Sequence, residues 1–430
     1  MEFPTKKKYF RILSFLLIIT TYLPVLTKNL PPVIRSHHLW AVIWVISLVT
    51  LVPEIFKNKL LLYVIIYQAI FALFVIADLW TGIDNWTIRS ISYDFYYITI
   101  AFTLITYYRY SGDYPGLAFI VKWTMIFIGV TAIMSIYSSI IDPLYARKIT
   151  GGDFEGLDQV FRYGGGTYGY AATLVCLFPL IFYYFRHNSE SIFTRTQILI
   201  FGFLCFIALY RIQIFANIIL AVIVILFSLF GRKDLKRSLF AVTIFLVIFI
   251  AIPTNFKTAF IGEVSGIVDQ DSENKRKMDD LTEYLNTAGN ETMAASRIAR
   301  YPLLWNAFRV KPFFGHLIEE NDSKIGAGAH LYFMYRLTAF GILNFVFFIG
   351  IFIKHIKYNM KIFSQGFSFY FLLSALSIII LGLMKNLAGR ELWYMYFFII
   401  PGLYYLPVLT HGKSNNSCIN DLSVSKNSLC

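Results

Sequence analysis

The chain has 430 residues and a formal net charge of +13, and 57% of it is hydrophobic and 18% aromatic against only 15% charged. A soluble globular domain is usually about a quarter charged, and its apolar residues fall in stripes rather than in long blocks. That balance excludes an ordinary water-soluble enzyme and gives no reason to expect nucleic acid as a partner.

Apolar blocks of roughly 18 residues or more read as membrane spans. The expected fold class is therefore all-α, a polytopic integral membrane protein. The first block, about 9–27, carries Pro24 and lacks a small-x-small cleavage site, so it is expected as a span and not as a cleaved signal peptide. About twelve spans follow in chain order, at 9–27, 38–54, 60–79, 91–108, 117–141, 166–185, 197–210, 213–230, 238–252, 330–353, 367–384 and 392–410. The seventh and eighth are separated only by Tyr210-Arg211-Ile212-Gln213.

Lysine and arginine in short loops set orientation. Lys6, Lys7, Lys8 and Arg11, then Lys57 and Lys59, Arg109, Arg186 and Arg195, GRKDLKR (231–237) and KHIKYNMK (354–361) all fall on one side of that alternation. Both termini are thus expected in the cytoplasm. The domains read as an N-terminal bundle (1–252), a large outward loop with short amphipathic helices (253–329), a C-terminal bundle (330–411) and a polar cytoplasmic tail (412–430).

The outer side receives the loop 141–169, the turn at Arg211 and the segment 253–329. In that segment KRKMDDLTEYLNTA (275–288) has a helical face through Met278, Leu281, Tyr284 and Leu285. NETMAASRIARYPLLWNAF (290–308) offers Asn290 as an N-cap, and Pro302 is expected to break or restart its helix. Cys176 and Cys205 fall in spans and Cys418 and Cys430 in the tail, with no metal or disulfide spacing. No metal or other cofactor is expected.

Arg147, Lys148, Arg162, Arg211, Arg297 and Arg300 all map to the outer side. The guanidinium fork donates two parallel hydrogen bonds and suits phosphate, so a phosphorylated lipid is one reading; headgroup contact or loop solvation is the other. Arg211 either snorkels from a span end or points at what the bundle encloses. Arg297 and Arg300 share a helical face, with Trp305 following. Within spans, Lys122 and Arg336 are expected to pair with polar groups or to snorkel.

His330 follows Gly-Ala-Gly-Ala (326–329) and opens the tenth span. A helix N-terminus disfavours imidazolium, and a neutral ring beside a hydroxyl can act as general base. A histidine that merely caps a helix at the interface is the alternative. Asp269 and Asp271 have an Asp-x-Asp spacing but lie in the polar run DQDSENKRK, where a solvated loop is expected.

Three stretches together resemble the O-antigen polymerase and O-antigen ligase superfamily of bacterial envelopes. They are RYGGGTYGYAATLVCLFPLI (162–181), LYRIQIFANIILAVIVIL (209–226) and SRIARYPLLWNAFRVKPFFGHL…GAGAHLYFMYRLTAFGILNFVFFI (296–349). The last is similar to the family's Ser-Arg…Trp…Pro-x-x-Gly…His…Gly pattern, with Leu331 where a polar residue often follows the histidine. The resemblance covers roughly residues 160 to 350 and implies a fold of the glycosyltransferase C type. It implies metal-independent transfer of glycan from an undecaprenyl-diphosphate carrier at the outer face of the inner membrane. By position Arg211 and Arg297 would hold the diphosphate and His330 would be the base, with Arg300, Arg162, Arg147 and Trp305 as further substrate contacts. A chain-length regulator protein would be a possible partner, besides membrane lipid. Asp78 and Asp84, in DLWTGIDNW, are further carboxylates on that side. Polymerase and ligase share donor and leaving group and differ in acceptor. A lipid-linked oligosaccharide transporter is the reading of another class, and it would need matching halves that the sequence does not display.

Overall fold

The structure is a computed structural model that describes residues 3–81, 86–151, 163–187, 192–230, 275, 279, 293–316, 331–387 and 389–409. Among the described residues it is all-helical. The principal helices are α1 (Phe3–Tyr22), α2 (His37–Leu51), α3 (Lys59–Thr81), α4 (Trp86–Ser111), α5 (Tyr114–Ile141), α6 (Tyr145–Gly151), α7 (Tyr168–Arg186), α8 (Arg195–Arg211), α9 (Phe215–Phe230), α10 (Met293–Val310), α11 (Tyr332–Ile362) and α12 (Gln365–Met384). The last, α13, runs from Arg390–Tyr394 through a π-helical turn, Met395–Ile399, to Ile400–Leu403.

Four of these are long and apolar enough to cross a membrane: Tyr114–Ile141, Tyr168–Arg186, Tyr332–Ile362 and Gln365–Met384. Shorter apolar helices lie at His37–Leu51, Lys59–Leu73 and Ala216–Leu229. Outward faces carry Val42, Ile46 and Val49 on α2, Phe203 on α8 and Val346 on α11, all exposed. So much apolar surface suits lipid and not water. The chain is a membrane protein.

Local signals start several helices. Ser36 accepts the Leu39 amide ahead of α2, and Thr194 and Gln197 form a capping box ahead of α8, each satisfying amides that a helix leaves unpaired. Asp113 caps α5 through the Gly116 amide (3.2 Å) and pairs with Arg11 of α1, whose Nε lies 2.7 Å from it. The first apolar block divides: α1 ends at Tyr22, and Pro24 opens a separate short helix, Pro24–Thr27. The short link between the seventh and eighth predicted spans is a turn with Gln213 at φ 59°.

The centre of the bundle is α13. From Leu392 to Ile400 every side chain is fully buried, as a helix that is apolar all round must be. Around it, α1 packs on α5, α7 on α9 and α12, and α8 on α5. One end of the bundle gathers the Arg11–Asp113 pair, Lys6 donating to Leu51 O, Arg109 donating to Asn359 (2.7 Å) and Tyr114 stacked on Tyr405. The opposite end gathers Tyr22 donating to Glu391 O (2.6 Å), Tyr145 donating to Gly166 O (2.8 Å) and the Tyr332 amide donating to Lys385 O (3.2 Å).

Pro302 does not end its helix: α10 runs through it to Val310. A proline inside a helix removes one hydrogen bond and bends the chain, and here tertiary contacts flank it. Tyr301 Oη donates to Leu383 O, and Leu304, fully buried, gives its carbonyl to Thr338 (3.1 Å). The tenth span is not one straight rod, since α11 is two helices joined at Gly341, which has φ 72° and ψ 173°. The ninth predicted span, 238–252, and most of 253–292 lie outside the described residues.

Candidate functional site

The Pro-x-x-Gly…Gly stretch of the sequence has a structural meaning. After α10 the chain turns through Lys311-Pro312-Phe313-Phe314-Gly315 and meets α11 at its break. Gly315 (φ 71°) and Gly341 (φ 72°) face each other backbone to backbone. A Cβ on Gly315 would lie 2.3 Å from Ala339 O, and one on Gly341 2.3 Å from Phe313 O. Positive φ and that proximity both require glycine. Two main-chain hydrogen bonds close the clasp, from His316 N to Ala339 O (3.0 Å) and from Ile342 N to Pro312 O (2.8 Å). The clasp holds α10 along the short first segment of α11, where Leu304 and Thr338 also join them.

The helix held in this way bears two of the predicted arginines. Arg297 lies in α10; its side chain is not among the described ones. Arg300 is half-buried, and its Nη1 is a buried donor with no hydrogen-bond partner among the described residues. Burial strips such a donor of its hydration, which an acceptor must replace. Trp305 is 49% exposed and packs on Phe308 (ring centroids 5.4 Å). With the exposed Leu303, Val310, Phe313 and Phe314 it forms an aromatic and aliphatic rim of the kind that sits at a membrane interface. His330 and Arg162 lie outside the described residues, as do Asp84, Asp269 and Asp271.

The other predicted arginines are on different elements. Arg211 ends α8 and is exposed. Among the described residues α8 packs chiefly on α5, α7 and α9, and α10 on α11. Arg147 is exposed on α6, beside the Lys148–Asp142 ion pair (2.6 Å). Arg211, Arg147 and Arg300 thus stand on three different helices, α8, α6 and α10.

Arg336 is the in-span charge that finds a partner. It is 2% exposed, with Nη2 3.3 Å from Asp94 Oδ2. Tyr332 Oη donates to the same oxygen (3.2 Å), and Trp393 Nε1 donates to Asp94 Oδ1 (3.0 Å). The guanidinium also lies over the rings of Tyr332 (4.5 Å) and Phe348 (4.4 Å). One carboxylate therefore ties α4, the first segment of α11 and the central helix α13. Sequence reasoning found the arginine, because a charge in a span needs a partner. It did not single out Asp94, which lies 242 positions away.

A cavity of about 190 Å³ with charged residues in its walls opens at the same end. Lys28, Arg390, Glu391, Gly165, Gly166 and Thr167 are among its walls. The glycine run is held tightly: Gly164 has φ 66°, and a Cβ there would lie 2.2 Å from Val25 N. Gly166 donates to Ser135 Oγ (2.8 Å). Lys28 and Arg390 went unnoticed in the sequence because one follows the first apolar block and the other precedes the last, and only the fold sets them around one space.

Compared with known families and with curated proteins, the chain matches no family model and no curated sequence.

Proposed function

We propose that the chain is an inner-membrane glycosyltransferase that polymerises undecaprenyl-diphosphate-linked oligosaccharide repeat units, as in O-antigen or a related surface polysaccharide. The reaction would take place on the periplasmic side, with both termini in the cytoplasm. The observation that carries the reading is the clasp. The two glycines of the resembling stretch hold the helix of Arg297 and Arg300 against a helix that begins two residues after His330. The half-buried Arg300 donor, which has no partner among the described residues, supports it, since an anionic oxygen would satisfy that donor.

The chemistry asks for little more than this. The leaving lipid diphosphate is a stable anion, which needs positive charge and no strong acid. Arg211 and Arg297 hold it in this reading, with Arg300, Arg162 and Arg147 as further contacts. The acceptor is a sugar hydroxyl, and His330 is the base that takes its proton as the new glycosidic bond forms.

His330→Ala and Arg211→Ala are each expected to lower glycan transfer by about 10²-fold or more while the protein still inserts. Full activity in either variant would remove that residue from the mechanism. The reading itself is tested on a deletion strain, by a gel of surface lipopolysaccharide beside the undecaprenyl-linked glycans. Loss of the ladder with single repeat units still on the core supports the polymerase. Bare core with long glycan accumulating on the carrier makes the protein the ligase. An unchanged ladder overturns both.

A further inference from the structure

The cavity at Lys28 and Arg390 belongs to none of the residues given a role above. Its walls come from distant parts of the chain: the end of α1 and the turn after it, Thr131 of α5, Ile149 of α6, the glycine run that leads into α7, and the start of the central helix α13. Most of its hydroxyls are already committed to the backbone. Tyr22 Oη donates to Glu391 O, Thr131 Oγ1 to Tyr22 O and Tyr170 Oη to Ile128 O. The charged groups that line the space are Lys28, Arg390 and Glu391. Arg390 and Glu391 form only a loose ion pair, with Nε and Oε1 3.9 Å apart. That distance leaves the guanidinium fork and the carboxylate able to bond a guest.

We infer that this cavity binds a phosphate-bearing ligand that also carries hydroxyls, as a sugar phosphate does. Lys28 and Arg390 bond the phosphate oxygens, and Glu391 accepts a hydroxyl. Two cations and one anion give the site a net positive charge, so the phosphate decides affinity and the carboxylate decides which phosphate is preferred. The volume, about 190 Å³, is enough for one such group. The inference names a ligand class for an end of the bundle where the proposed transfer also takes place, and for that choice of class it rests on the glycosyltransferase reading. Burial lowers the Lys28 ammonium to about 8, and a bound anion would raise it again. Arg390, Glu391, Tyr22 and Tyr170 share the cavity with it.

The test uses the full chain in phosphatidylcholine nanodiscs. Glucose 1-phosphate is titrated as the free ligand, and phosphatidylinositol is added to the discs as the lipid-borne one. The rise in thermal unfolding midpoint is read in both arms. At least one probe is expected to stabilise the protein. Lys28→Gln and Arg390→Gln are each expected to weaken that probe about tenfold or more, and Lys28→Arg to retain it. Glu391→Gln is expected to reduce the preference for glucose 1-phosphate over inorganic phosphate. Affinity should fall as pH rises through about 8, a range in which a phosphomonoester is already fully ionised, and Lys28→Arg should remove the fall. A response to glucose 1-phosphate alone assigns a free ligand, and one to phosphatidylinositol alone assigns a lipid headgroup. No response to either probe, or equal affinity in Lys28→Gln and Arg390→Gln, overturns the inference. Lys28 lies in a half-buried turn, so its variant serves if Arg390→Gln does not fold. Binding is read without turnover. Retained binding beside an unchanged ladder in the deletion strain would overturn the transferase and leave the site standing.

Discussion

Asp94→Leu is expected to destabilise the protein by about 3–5 kcal/mol, the cost typical of stranding one half of a buried ion pair. The substitution leaves three buried donors without their acceptor: Arg336 Nη2, Tyr332 Oη and Trp393 Nε1. Arg336→Met should cost less, because Asp94 keeps its bonds to Tyr332 and Trp393. The double variant, Asp94→Leu with Arg336→Met, should recover part of the loss, since the charge is gone while two neutral donors stay unpaired. A double-mutant cycle on thermal unfolding in detergent isolates the pair. If all three variants unfold within a degree or two of the parent, the carboxylate does not bind α4, α11 and α13 together.

The position of this pair explains why the fold was partly legible and partly not. Span helices follow from runs of apolar residues, which are local, and α5, α7 and α12 lie close to where composition puts them. The need of Arg336 for a partner is also local knowledge. The partner is not, because Asp94 reaches it only once α4 and α11 pack. Pro302 misled for the opposite reason. A proline weakens a helix locally, but Tyr301 and Leu304 are held by α12 and α11 and the helix continues. For the site, the resemblance pointed to Pro312, Gly315 and Gly341 as a pattern. It gave no reason for the second glycine, which exists because Phe313 O passes 2.3 Å from where a Cβ would be. His330, the residue given the most chemistry, lies outside the described residues. Lys28 and Arg390 had no signal at all until the cavity joined them.

Gly341→Ala is expected to release the clasp and, on the transferase reading, to lower transfer by about 10²-fold, the loss that a misplacement of roughly 1 Å brings. Two costs combine. Gly341 has φ 72° and ψ 173°, a region nearly reserved for glycine, where another residue costs on the order of 1–3 kcal/mol. Its Cβ would also meet Phe313 O at 2.3 Å, and a backbone atom cannot turn aside as a side-chain end can. Gly315→Ala meets Ala339 O in the same way, so each variant breaks the same contact and the double should be hardly worse than either single. Gly112→Ala is the control. It has φ 62° and nothing within 4 Å of its Cβ, so it carries only conformational strain, about 1 kcal/mol. Thermal unfolding and glycan transfer measured on the four proteins separate strain from collision. If Gly341→Ala behaves like Gly112→Ala in both, the clasp is not what positions α10 over α11. If it unfolds normally but loses transfer, the contact acts on the site alone, through the helix that carries Arg297 and Arg300.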